Sequence, residues 1–501
     1  MSRLSARVLV ALAFPFTLAG FSSPVFAVQN PHALHLISVR NQTAKKPPQA
    51  PETVPVIAPP GSVLHEARRG DSIPSVARQY LRKTSYLTSS ELAEAIRQAN
   101  GGRQGTFLKP GEQLIIPGML DAPIVEKTVA VPKDFEVRAI YLTGVMAGSD
   151  RGVRIIRRWR EVGGNAVVFD IKDSDGIVNI AFDHPLASGQ KHYLHDLPKF
   201  THFLHSQNMH AIARIAIFRD EHLVKTHPEL AVKSRRTGQP WRENGKLVWT
   251  DPSNPKVQEY DIALAKFVAQ SGVDEVQFDY VRFPAEGDQK DAGFNFQTEH
   301  PKWQRSEVIA DFLKRTYAEV HPTGALFSLD VFGIMAWQRP VDLSHTGQDI
   351  VAMAKHCDVL SPMIYPSHFF GMDGIARPGD APEHFIGESM DRFMLITKGS
   401  GVVIRPWLQA FAWRTKTYSP KYVEVQIEVA KNKGGVGFLF WNANNDYSKP
   451  FIAMPEMRVA KGKFFRGDEL PAKTEPAAPV AATPSPTAAQ PASSPMKIWR
   501  H

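Results

Sequence analysis

The chain has 501 residues, more than one ordinary domain needs, with 43% hydrophobic and 22% charged residues, so a large core plus an accessory unit is expected. A formal net charge of +9 would suit anionic partners such as cell-wall polymers, phospholipid head groups or nucleic acid. The Lys and Arg residues are dispersed, however, which equally fits a basic soluble surface, and no nucleic-acid partner is expected. The single cysteine, Cys357, excludes an intramolecular disulfide, so the fold must rest on its packing.

Residues 1–27, MSRLSARVLVALAFPFTLAGFSSPVFA, place Arg3 and Arg7 ahead of an apolar run that ends in Val25, Phe26 and Ala27. That order reads as a secretory signal peptide cleaved after Ala27. A membrane anchor is the alternative, but the uninterrupted apolar run falls short of about 20 residues and no later segment is long enough to span a bilayer. The mature protein is therefore expected to be secreted, periplasmic or associated with the cell envelope, without a transmembrane segment. Residues 28–62 form a Pro-rich linker, and residues 469–501 form a Pro/Ala-rich tail almost without bulky apolar side chains, expected to be disordered.

Residues 63–118 read as strand, turn, helix, helix, turn, strand. Gly70, Asp71 and Ser72 supply a turn and a helix cap, after which Ile73, Val76, Ala77 and Tyr80 fall at helical spacing. A second helix carries Leu92, Ala95 and Ile96 and stops at Asn100 and Gly101, and LKPGEQLIIP then turns into a short strand. The GDS turn, the Asn after the second helix and the LxPGxxLxIP ending resemble a lysin-motif (LysM) domain, although LRKTSYLTSS between the helices is longer than usual. The resemblance implies binding of N-acetylglucosamine-containing glycans, such as peptidoglycan or chitin. The contacts it implies come from Gly70, Asp71, Ser72 and Ile73 and from Asn100, Gly101 and Gly102. The same residues would also serve simply as turns and caps.

From residue 135 to about 460, short apolar runs alternate with helical patterns. The runs are VRAIYLT, NAVVFDI, HAIARIAIF, DEVQFDYVRF, ALFSLDVFG, DVLSPMIYP, VVIRPWLQAF and GVGFLFWNA, eight candidate strands. In KVQEYDIALAKFVAQ, Val257, Tyr260, Leu264, Phe267 and Val268 make one apolar stripe, and Gly272 follows as its stop. Eight such units predict an α/β fold, a (β/α)8 or TIM barrel. A doubly wound sheet is disfavoured because YLTGVMAGSDRG, after the first strand, lacks GxGxxG spacing.

Barrel active sites lie where strands end at their C-termini. Asp170 and Lys172 end the second strand, two apart and so on one face. The fourth strand is expected to point Gln277 and Asp279 inward, with Phe278 and Tyr280 toward the helices, and to run on to Arg282 before Pro284 stops it. Asp330 ends the fifth strand, Tyr365 the sixth, Gln409 the seventh, and Trp441 and Asn442 the eighth. Inward carboxylates are costly unless paired, hydrated or functional. Asp279 and Asp330, on neighbouring strands, are the pair that could approach a sugar from two sides, as glycoside hydrolysis requires, with Arg282 favouring ionisation of one. Tyr365, Trp407, Trp413 and Trp441 would offer aromatic faces to sugar C–H groups, or simply pack in the core.

FDYVRFP at 278–284, preceded by WTDPSNPKVQEY and followed by SLDVFG and SPMIYPSHF, resembles a family of glycoside-hydrolase barrels distantly akin to the α-amylase-type clan. The resemblance implies that Asp279 is the principal catalytic carboxylate. The amylase-type pattern places a glutamate acid on the fifth strand, where this chain has Asp330, and Asp170 is the alternative; Lys172, Arg282, Tyr365, Gln409, Trp441 and Asn442 would bind a polysaccharide substrate. Asp251 reads as a turn or cap. No GxSxG elbow is present, and Cys357 precedes the sixth strand rather than ending it, the wrong end for a nucleophile. No HExxH set appears, and His202, His205 and His210 read as a solvated helix flank, so neither a metal nor a cofactor is expected. The alternative to an enzyme is a glycan-binding or scaffold protein with a degenerate barrel.

Overall fold

The computed structural model describes residues 57–460 apart from Lys191. The signal-peptide reading, most of the linker and the C-terminal tail fall outside the described residues.

The first unit comprises β1 (Ser62–Glu66), α1 (Ile73–Tyr80), α2 (Ser89–Ala99) and β2 (Gln113–Pro117). β1 and β2 pair antiparallel, with Val63 opposite Ile116. Ser72 caps α1 in a reciprocal capping box with Ser75. The capped helix then turns Ile73, Val76 and Ala77 onto Leu92, Ala93 and Ile96 of α2 and onto Leu114 and Ile116 of β2. Asn100 closes the unit: its amide donates to the Ile96 and Ile115 carbonyls and accepts from the Ile115 N–H.

The long stretch between α1 and α2 lies against the larger domain. Lys199 Nζ donates to the carbonyls of Leu81 and Tyr86, both at 2.9 Å. Thr88 bonds Asp150, and Arg157 pairs with Glu91 at 3.0 Å.

All eight expected barrel strands form: β3 (Val137–Leu142), β4 (Ala166–Lys172), β5 (His210–Ala216), β6 (Glu275–Asp279), β7 (Leu326–Phe332), β8 (Val359–Met363), β9 (Trp407–Gln409) and β10 (Gly437–Trp441). Each pairs in parallel with the next, and β10 returns to β3 with Gly437 opposite Val137, closing an α/β TIM barrel. The main outer helices are α3 (Asp150–Glu161), α4 (Leu197–Ser206), α5 (Pro255–Gln270), α6 (Arg305–Val320), α7 (Pro382–Ile396), α8 (Pro420–Asn432) and α9 (Ser448–Ala460). Between β7 and β8 only short helices occur, Pro340–Thr346 and Ile350–Met353.

Strand alternation divides the core. Val137, Ala139, Tyr141, Ala166, Val168 and Trp407 are among those filling the barrel, while Phe169, Phe278 and Phe440 face the helical layer. The barrel interior also holds charge near its N-terminal end. Burial pushes the Glu275 carboxyl up, but the Arg405 guanidinium, 2.7 Å away, outweighs that and holds it down at about 2.

Three local features depart from simple alternation. β4 has a bulge between Asp170 and Lys172, so one extra residue reverses Lys172 relative to Asp170. The seventh strand breaks into Val403–Ile404 and β9 around Pro406, which has no N–H for the ladder. β6 stops at Asp279 rather than at Pro284, because Tyr280 adopts a left-handed φ of 55° and its N–H donates to Asp279 Oδ1 at 2.6 Å.

Candidate functional site

Arg214 organises the C-terminal mouth of the barrel. It sits on β5, on the inward face, and its guanidinium is buried. Nη1 donates to Asp170 Oδ1 at 2.5 Å and to Asp173 Oδ1 at 3.3 Å; Nη2 and Nε donate to Asp279 Oδ2 at 2.6 and 3.2 Å. Nε also lies 3.9 Å from Asp330 Oδ2. The rings of Tyr141 and Trp441 lie beside the guanidinium, at 5.6 and 5.2 Å. An arginine fork matches carboxylate geometry, which lets one cation hold several acids in fixed positions.

The carboxyls differ in environment. Asp170 is buried and uses both oxygens, one on Arg214 and one on the Tyr141 hydroxyl; burial raises it to about 7 against the pull of Arg214. Asp330 accepts from Trp407 Nε1 at 2.6 Å. Burial, with the neighbouring Asp279 charge adding to it, raises the Asp330 carboxyl well above the usual range. Asp279 keeps 10% of its side chain accessible, and Asp173 keeps 42%. Because Asp279 and Asp330 both place Oδ2 near the same Arg214 Nε, at 3.2 and 3.9 Å, those oxygens stand no further apart than about 7 Å.

Tyr365 lies beside these acids: burial, then the charges of Asp330 and Asp279, raise its hydroxyl well above its ordinary value. Trp441 is part-exposed and stacks on Tyr141 with ring centroids 4.0 Å apart. Thus Asp170, Asp279, Asp330, Tyr365 and Trp441 converge. The other expected residues take different places.

Lys172 is turned away by the bulge and is fully buried, its ammonium bonded to Asp220 and Asp261 at 3.0 and 2.9 Å; its expected place at the mouth is corrected. Arg282 does not stand beside Asp279. The left-handed turn at Tyr280 carries it into a box of Trp249, Tyr280 and Phe332, where its guanidinium bonds the Phe283 carbonyl. Arg214 occupies the role foreseen for it. Gln409 and Asn442 hold loops: Gln409 joins Ser367, Phe411 and Thr415, and Asn442 joins Ala410, Asn444 and Asp446. Trp407 is buried, whereas Trp413 is 37% exposed. Asp251 caps a turn, accepting from Ser253 and Asn295.

In the N-terminal unit, Gly70, Gly101 and Gly102 are exposed turns with positive φ. Asp71 accepts from Arg68 N at 2.8 Å, Ser72 caps α1, and the Ile73 side chain is buried. Asn100 is committed to the backbone bonds that close the unit.

Arg214 and Asp173 were missed from sequence. The available signal was the lone Arg in HAIARIAIF, a charge on one face of a strand that otherwise reads as core. His205 and His210 are also not a solvated flank: they are buried at the opposite end, bonded to Glu126 and Asp274 and to Glu275 respectively. Near them lies a cavity of about 610 Å³ lined by Glu126, Thr128 and Lys266, remote from the Arg214 cluster. Among the described residues, no group of three or more His, Cys, Asp or Glu is disposed to hold a metal ion.

Comparison with solved structures gives similarity to several chains. A hypothetical protein from Ruminiclostridium thermocellum ATCC 27405 is 36% identical over 38% of this chain and 97% of its own, with a TM-score of 0.34. The PgaB (BpsB) glycoside hydrolase domain from Bordetella bronchiseptica is 14% identical over 68% of this chain and 100% of its own, TM-score 0.47. The spore cortex-lytic enzyme SleL of Bacillus megaterium QM B1551 is 12% identical over 78% and 85%, TM-score 0.38. No curated protein matches the chain. Residues 139–447, more than half of the sequence and running from within β3 to the edge of α9, match one family model, and the chain belongs to that family, described as "Putative glycosyl hydrolase domain".

Proposed function

We propose that the barrel hydrolyses a glycosidic bond in a cell-envelope polysaccharide, with Asp279 as nucleophile and Asp330 as general acid. The observation that carries this reading is the shared contact of both carboxyls with Arg214 Nε, which limits their Oδ2 separation to about 7 Å. Retaining glycosidases need about 5–5.5 Å and inverting ones about 6.5–9.5 Å, so the bound admits the first spacing fully and only the lower edge of the second.

The environments suit these roles. Burial, with the Asp279 charge, shifts Asp330 toward its protonated form, the direction a general acid needs, and Asp279 is ion-paired and partly accessible. In the first step Asp330 gives its proton to the glycosidic oxygen while an Asp279 oxygen bonds the anomeric carbon, breaking the C–O bond to the leaving sugar. In the second, Asp330 takes a proton from water, whose oxygen displaces Asp279 and restores both carboxyls. Arg214 fixes Asp279 for attack, and Trp441 and Tyr365 border the sugar. The N-terminal unit acts as a LysM module on N-acetylglucosamine-containing glycan, peptidoglycan or a chitin-like polymer, and the leader delivers the protein to the envelope. Tethering raises the local substrate concentration at the barrel.

The second reading, a glycan-binding or scaffold protein without turnover, is favoured by the 1% exposure of Asp330. The two readings separate in one assay of reducing-sugar release from peptidoglycan and a polysaccharide panel. Hydrolysis predicts release by the native protein and a fall of about 10²–10⁴-fold in both Asp279→Asn and Asp330→Asn. No release by the native protein, or equal release by all three, refutes it.

A further inference from the structure

A second cavity, of about 450 Å³, opens among the loops after β8 and β9. Its buried members include Ser367, Pro378, Gly379 and Thr415, and its exposed members include Phe370, Arg377, Arg414 and Lys416. The loops are fixed rather than draped. Gln409, at the end of β9, accepts from Ser367 N at 3.2 Å and donates to Thr415 Oγ1 at 2.8 Å, so one barrel side chain holds both walls. The Tyr422 hydroxyl donates to the Gly379 carbonyl at 2.9 Å, and Asp380 accepts from the N–H groups of Lys416 and Thr417. A Cβ on Gly379 would lie 2.3 Å from the Arg414 carbonyl, so the chain approaches itself there as closely as glycine permits.

The cations of this cavity are under-neutralised. Arg414 lies over Phe370 and Trp413, at 4.0 and 4.4 Å, and among the described residues neither its guanidinium nor the Lys416 ammonium has an acidic partner; Lys416 engages Asp380 through its backbone N–H. The Arg377 guanidinium lies 3.6 Å from Asp380, at the long end of ion-pair range. A chain of packed rings leads from the mouth to this cavity: Tyr365, beside Asp279 and Asp330, lies 5.4 Å from the His368 ring, which lies 5.0 Å from Trp413, the neighbour of Arg414. Burial, and then the Arg414 charge, press the His368 imidazole down to about 4, so it remains neutral and adds an uncharged surface.

We infer that this cavity is a substrate subsite for a carboxylate-bearing sugar, whose acid meets Arg414 and Lys416 while its apolar face lies against Phe370 and Trp413. The inference rests on the glycan-active reading of the barrel and adds that the favoured glycan is acidic. Charge-assisted hydrogen bonds from these cations to a ligand carboxylate would raise affinity on the order of tenfold. Arg414, restrained between two rings, gives up less freedom on binding than a free surface arginine.

The test uses full-length protein carrying Asp279→Asn and Asp330→Asn, so that ligand is bound and not consumed. Calorimetric affinities are measured for peptide-free peptidoglycan glycan fragments, for the same fragments with their carboxyls reduced to alcohols, and for oligogalacturonate. The inference predicts that the native carboxylate fragments or oligogalacturonate bind about tenfold or more tighter than the reduced fragments, and that this preference disappears when Arg414→Ala and Lys416→Ala are added. Preference for the first ligand assigns the acid to a lactyl-type group and preference for the second to a uronate. Equal affinities, absence of binding by both acidic ligands, or a preference that survives the two alanines overturns the inference. Arg414 and Lys416 are exposed, and unchanged melting of the variant excludes misfolding as the cause. Binding is read without turnover, so a failure of the hydrolase reading leaves this result interpretable.

Discussion

A single guanidinium set among several carboxyls imposes a division of labour on them. Arg214 reaches Asp170, Asp173 and Asp279 with hydrogen bonds and approaches Asp330. The accessible Asp279 and the buried Asp330 are legible in the sequence because an acid on the inward face of an apolar strand stands out. Arg214 obeys the same rule, but it lies on the third strand, outside the FDYVRFP, SLDVFG and SPMIYPSHF segments. Lys172 and Arg282 were misplaced for backbone reasons, a bulge and a left-handed tyrosine, which side-chain periodicity does not encode. Asp170 supplies a prediction at this scale. Burial raises it from 3.8 to about 7, so the folded state holds the proton more tightly than the unfolded one. Its contribution to stability is therefore greatest below about pH 4, declines as pH rises, and levels off above about pH 7. In Asp170→Asn the urea midpoint should fall less steeply between pH 4 and 7 than in the native protein; an unchanged slope contradicts this.

Elements defined by hydrophobic patterning alone are legible in the sequence. The eight strands and the Val257, Tyr260, Leu264 and Val268 face of α5 are set by local sequence, and burial agrees with that periodicity, whereas Phe267, expected in the same stripe, is 37% exposed. Where one residue interrupts the pattern, as Pro406 does before β9, the single apolar run VVIRPWLQAF folds as two pieces. The break leaves Arg405 to cross the barrel toward Glu275 on β6, a pairing between strands 130 residues apart in sequence that no local pattern announces. Removing one member of a buried ion pair costs about 3–5 kcal/mol, so Glu275→Gln should destabilise the protein by that order at pH 7. Since Arg405 lowers Glu275 to about 2, the pair stabilises above about pH 4.5 and loses effect as pH falls through 2. The gap between native and Glu275→Gln melting temperatures should accordingly narrow toward pH 2. A gap that stays constant contradicts the ion-pair account.

Over the whole molecule, the N-terminal unit and the barrel meet through the stretch between α1 and α2 that is longer than the LysM pattern has. Lys199 of α4 is buried against its carbonyls, and Thr88 and Glu91 pair with α3. The extra residues supply much of the contact with the barrel. Such a contact sets the N-terminal unit against α3 and α4, a relation between two units that neither segment's sequence contains. The central claim remains chemical: Asp279 and Asp330 act on one glycosidic bond from within about 7 Å of each other. The most direct measurement is the anomeric configuration of the first product, followed by proton NMR before mutarotation, on a glycan the protein cleaves. The account predicts retention of configuration, and inversion would contradict it.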